Sequence, residues 1–144
     1  MAETISSGVF QEALSHSRRK TLLRTVISRI HIEEYKNSTF QQIYTDLYTK
    51  HKQTGDIGKL TIYDLTSGLC KHHKIPIDKV FIIGKGPQRA VKILKLKTKQ
   101  VEFNGIKLNY VDINEVNAVL DVPETKTTDG DSVESFLCKW QKTK

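Results

Sequence analysis

The apolar positions in the first half of the chain recur at helical spacing. Phe10, Ala13 and Leu14 are followed by Leu22, Leu23, Val26, Ile27 and Ile30. Steps of 3 and 4 put such residues on one face of an α-helix. Arg18, Arg19, Arg24 and Arg29 fall mostly off that face, and Ser15 to Ser17 either interrupt the helix or precede it. Asn37, Ser38 and Thr39 read as a cap for a helix carrying Phe40, Ile43, Tyr44, Leu47 and Tyr48, which stops before Thr54-Gly55. Thr61 to Asp64 has the form of a capping box. It would open a third helix with Ile62, Leu65 and Leu69 on its buried stripe, ending near His73.

The pattern changes after Pro76. Val80-Phe81-Ile82-Ile83 is a short apolar run that suits a buried strand or a helix end; its β-branched content favours strand. Gln88 to Leu94 reads as helix. Val101 and Phe103, then Ile106, Leu108 and Tyr110, alternate around Asn104-Gly105. Asn-Gly between alternating segments predicts a hairpin, because a type I′ turn needs positive φ at both central residues. Asp112 or Asn114 can cap a last helix through Leu120. After Pro123 the chain turns polar, and Phe136, Leu137 and Trp140 are the apolar positions that could dock back as a short helix.

This predicts an α+β, mostly α fold: a flexible N-terminus over residues 1–8, one globular domain over 9–122 and a largely disordered tail over 123–144. The chain has 144 residues, 38% hydrophobic and 27% charged, which suits one domain of ordinary size. It contains no apolar run long enough for a membrane span, which excludes a membrane partner of that kind. MAETISSGVF carries no basic segment ahead of an apolar one, and two cysteines make no disulfide framework. The expected setting is intracellular, cytoplasmic or nuclear, and not secreted.

The net charge is +7. From Cys70 to Gln100 the chain carries eight lysines and one arginine against one aspartate, a local net of +8. Such a concentration points to an anionic partner, with a DNA or RNA backbone first. A second basic knot is Arg18-Arg19-Lys20 beside His16. At the centre of the +8 stretch lies Ile83-Gly84-Lys85-Gly86-Pro87-Gln88-Arg89-Ala90-Val91-Lys92-Ile93-Leu94. Glycines let the backbone turn tightly and approach a ligand. The exposed amides of a following helix N-terminus attract an anion. Lys85, Arg89 and Lys92 would add charge there, with Lys79 and Lys95 in support.

This dozen residues resembles the helix-hairpin-helix DNA-binding motif. Gly84 and Gly86 match its two glycines, Ala90 its small residue, and Ile93 and Leu94 its apolar pair. The resemblance implies a hairpin that grips a backbone phosphate without reading bases. Two positions depart from the family pattern: Lys85 stands where an apolar residue is usual, and Pro76 lies in the preceding stretch.

The phosphate-binding expectation is therefore Gly84, Lys85, Gly86, Arg89 and Lys92, in a non-catalytic nucleic-acid-binding domain without sequence preference. Two alternatives stay open. One is a small enzyme holding a nucleotide or phosphorylated ligand at the Gly84–Gly86 turn, so whether the protein is an enzyme is undecided. The other is a protein-interaction module. The full dinucleotide and P-loop glycine patterns are absent. No cofactor and no metal site are expected. Cys70, His72 and His73 form one cluster where zinc commonly takes two ligand pairs, and adjacent histidines on a helix diverge by about 100°. A cysteine nucleophile with a histidine base would need a third, orienting group that the sequence does not identify. Tyr44, Tyr48 and Tyr63 could stack on bases, but their helical spacing suits a core.

Overall fold

The computed structural model describes residues 8–52, 55 and 57–144. The expectation for residues 1–7 lies outside them. Their class is α+β, mostly α, with a three-stranded antiparallel sheet. Among the described residues no helix is long and apolar enough to cross a membrane. The chain divides into two compact units, residues 1–76 and 77–144.

The first unit is helical. α1 (Gln11–His16) and α2 (Lys20–Ser28) are separate helices. Ser17 takes an extended conformation between them, and its hydroxyl accepts the Arg19 amide at 3.0 Å, so the serines do interrupt the helix. A 3₁₀ turn (Ile32–Tyr35) leads to α3 (Phe40–Leu47). Thr39 caps α3 as a full capping box: its hydroxyl accepts the Gln42 amide at 3.1 Å, and the Gln42 side chain accepts the Thr39 amide at 3.0 Å. A π turn (Tyr48–Lys52) prolongs α3. α4 (Lys59–His73) starts ahead of the expected Thr61 cap, because Gly58 takes the extended cap position and its carbonyl accepts the Ile62 amide at 3.0 Å. Phe10, Leu23, Ile43, Tyr44, Leu47, Ile62, Tyr63, Leu65 and Leu69 are essentially inaccessible and form this unit's core. Phe40 stacks on Tyr44 with ring centroids 5.9 Å apart and meets Tyr63 at the same distance. Tyr44 and Tyr63 are thus packing residues, not platforms for bases.

The second unit holds the sheet, in the order β1–β3–β2. β1 (Val80–Phe81) pairs with β3 (Ile106–Val111), Val80 opposite Val111, which puts the first two residues of the apolar run in a strand. β2 (Lys99–Phe103) and β3 form the expected hairpin, with φ of +53° at Asn104 and +78° at Gly105. α5 (Lys85–Leu94) connects β1 to β2, and α6 (Ile113–Leu120) follows β3.

Residues 123–144 carry the short docking helix that Phe136, Leu137 and Trp140 allow, in place of a largely disordered tail. After a 3₁₀ turn at Pro123–Thr125, α7 (Gly130–Trp140) begins at Asp129, whose carboxylate accepts the Asp131 amide at 3.3 Å. Val133 and Leu137 are fully buried with Val80, Ile82, Ala90, Val91, Val111 and Val116. Val133, Phe136, Leu137 and Trp140 recur at helical spacing, so the polar stretch from Glu124 to Ser132 is the connection to a core helix. The start of α7 is anchored next to β1: the Gly130 amide donates to the Ile77 carbonyl at 2.7 Å, and a Cβ on Gly130 would lie 1.9 Å from the Lys79 carbonyl oxygen.

Candidate functional site

The glycine segment opens α5 directly from strand β1. Gly84 is buried, extended, and in the cap position. Lys85, Gly86 and Pro87 are the first three helical residues, so Pro87 stands third and not first. Its missing N–H is still harmless within the first turn. The Gln88 amide returns to the Gly84 carbonyl at 3.2 Å, and the Gln88 side chain donates to the Ile83 carbonyl at 2.9 Å. No side chain caps this end and no acidic residue lies in its first turn. The positive end of the helix dipole therefore carries Lys85 with no compensating carboxylate on its own first turn.

The helix is sharply two-faced. Pro87, Ala90 and Val91 are buried, and Lys85, Gln88, Arg89 and Lys92 are exposed. Lys85, Arg89 and Lys92 stand at i, i+4 and i+7, which aligns them in one stripe. Among the described residues, Lys85 and Lys92 have no carboxylate within ion-pairing distance.

Other expected residues have different occupations. Gly86 is a packing residue: a Cβ there would lie 2.7 Å from Cys138 Sγ on α7. Its face of the helix is filled by protein and does not admit a phosphate. Arg89 binds the chain's last turn. Its guanidinium donates to the Gln141 carbonyl, to Gln141 Oε1 at 2.8 Å and to the Lys144 main-chain oxygen at 3.1 Å. It contributes charge to the stripe but is held by these acceptors. Lys79 lies 3.4 Å from Asp78 and 5.4 Å from the centre of the Tyr110 ring. Lys95 terminates α5 in the left-handed conformation, with φ of +57°. Lys99 is neutralised by Asp112, with Glu115 at 3.6 Å. Arg89's carbonyl partners were out of reach of a local reading, since they lie more than fifty positions downstream.

His72, His73 and Asp64 belong to the first unit, whereas Gly84–Gly86 belongs to the second. Cys70 is buried. A groove of about 790 Å³ in the first unit runs past Glu12, Ser15, Gly68, Lys71 and His72. The adjacent histidines come closer than helical divergence suggests, with ring centroids 4.7 Å apart. Glu33, from the 3₁₀ turn, approaches them; no sequence signal joins it to residues forty positions later. Compared with protein-family models, with curated proteins and with solved structures, the chain matches none.

Proposed function

We propose that the protein is a non-catalytic nucleic-acid-binding module that engages backbone phosphates, without sequence preference, through the exposed face of α5. The observation that carries this reading is the stripe of Lys85, Arg89 and Lys92 on a helix whose positive end has neither a side-chain cap nor an acidic first turn. Phosphate oxygens supply the missing negative charge, and a row of cationic side chains reads charge, not base edges. Lys85 and Lys92 are the principal contacts. Lys142 and Lys144 add charge from the turn that Arg89 holds against α5.

Because α5 is entered from a strand, the proposal rests on this cationic face and not on a two-helix hairpin. The enzyme alternative loses ground at Gly86, whose open side is occupied by Cys138. An intracellular setting accords with such a partner.

The test is fluorescence anisotropy with a labelled duplex and a labelled single strand at low and moderate salt. Binding of both, weakened by Lys85→Ala with Lys92→Ala and insensitive to sequence, is expected. No binding to either at low salt and tens of micromolar protein overturns the reading.

A further inference from the structure

We propose that Glu33, His72 and His73 form a binding site for one divalent transition-metal ion, zinc in the first instance, in the first unit. One ligand atom from each of these residues lies within 4.8 Å of the other two. Tetrahedral zinc with bonds of about 2.0–2.1 Å sets its ligands about 3.3 Å apart. The cluster needs to contract by up to about 1.5 Å, on the order of a side-chain rotation. The residues that must move are free to do so: the Glu33 side chain is 80% exposed and His72 is exposed, whereas the His73 side chain is 5% exposed and held.

The way His73 is held is the second observation. Its Nε2 lies 2.8 Å from the Ile32 carbonyl oxygen. A carbonyl only accepts, so Nε2 carries the proton and Nδ1 keeps the lone pair. The same Nε2 is 3.8 Å from Glu33 Oε2, so His73 offers the ion Nδ1, the nitrogen that its carbonyl partner leaves free, as metal-binding imidazoles commonly do. Ile32 immediately precedes Glu33 on the 3₁₀ turn, so one hydrogen bond fixes the tautomer and ties the turn to the helix end.

The third observation is position. His72 and His73 are the last two residues of α4, where the helix dipole presents its negative end. Two neutral imidazoles and one carboxylate make a donor set of borderline hardness, suited to zinc and its neighbours and not to calcium or magnesium. Three protein ligands leave one coordination position for water or an external ligand.

The experiment is calorimetric titration of the untagged full chain with zinc chloride in a non-coordinating buffer. His72→Ala, Glu33→Gln, His31→Ala and Cys138→Ala are titrated alongside, with circular dichroism on each. One zinc per chain is expected. His72→Ala and Glu33→Gln each weaken it by at least about tenfold, while His31→Ala and Cys138→Ala leave it unchanged. Cobalt(II) then gives four-coordinate d–d absorption without a thiolate charge-transfer band. Absence of 1:1 binding, equal affinity in the folded His72→Ala variant, or loss of binding in Cys138→Ala overturns the proposal. None of these outcomes depends on nucleic-acid binding.

Discussion

Gly86 faces Cys138 with no room for a methyl group between them. Overpacking of this kind costs about 1–3 kcal/mol, against which alanine's better helix propensity recovers up to about 1 kcal/mol. Gly86→Ala should therefore destabilise the protein by about 1–2 kcal/mol in urea denaturation. In a Cys138→Ala background the same change should cost less, because the sulfur is gone and only the restriction that Pro87 places on a preceding helical residue remains. Equal costs in the two backgrounds would show that the contact does not set the glycine. The sequence marks Gly86 clearly as a special position, but its reason lies in a residue on another helix, and local pattern supplies only a ligand as an explanation. A second residue-scale effect concerns pH. Burial, and then the hydrogen bond to Asp46, pushes the Tyr35 hydroxyl far above its ordinary value; burial, and then Tyr48, does the same for Tyr44. The unfolded chain ionises near the ordinary value of about 10. Stability from both groups is therefore complete below about pH 10 and is lost as pH rises toward the higher folded values. Denaturation midpoints measured from about pH 9 upward should fall, and Tyr35→Phe should shallow that fall.

At the scale of elements, periodicity served where a helix or hairpin is locally complete. The Thr39 cap, the stripe of α3 and the Asn104-Gly105 turn are formed by residues a few positions apart, and all are as the pattern predicts. α7 shows the other case. Its apolar residues are visible, but the polar stretch before them outweighs four apolar positions unless the groove they fill is known. Val133 and Leu137 fill it beside Val80 and Val111. Leu137→Ala should cost about 2–5 kcal/mol, read from denaturant midpoints. Ending the chain after Val122 should abolish cooperative unfolding of the second unit, because it uncovers Ala90 and Val91 on α5 together with β1. Retention of the full-length transition in the shortened chain would contradict the packing of α7. The approach of Glu33 to His72 and His73 has the same origin: adjacent histidines diverge on an ideal helix, and only the fold brings the 3₁₀ turn carrying Glu33 to the helix end.

Over the whole molecule, the +8 run from Cys70 to Gln100 is continuous in sequence but crosses the boundary at Pro76, so Lys71 and Lys74 belong to the first unit. Residues 1–76 hold eleven Lys and Arg against seven Asp and Glu, and residues 77–144 hold twelve against nine, giving +4 and +3. Net charge thus barely distinguishes the two units; the arrangement on α5 does. If Lys85 and Lys92 each neutralise one phosphate, removing both should flatten the slope of log affinity against log salt by about 1.8, at about 0.9 per contact on duplex DNA. Arg89→Ala should also lower stability, since it frees the carbonyls of the last turn. Unchanged salt slopes in the double lysine variant would move the contact surface off α5.

The pairing of β1 with the start of α7 carries a consequence for synthesis. Val80-Phe81-Ile82-Ile83 leaves the ribosome well before the helix that covers it. At about 5–20 residues per second, the chain between Phe81 and Trp140 takes roughly 3–12 s to follow. For that interval a β-prone apolar segment lacks the α7 side of its cover, which is the condition under which nascent chains associate. Lys79 stands immediately before it and Lys85 just after it. Flanking charges of this kind act as gatekeepers against strand-to-strand association between chains. The same lysine that marks the open end of α5 in the finished protein therefore shields the neighbouring strand while the protein is being made.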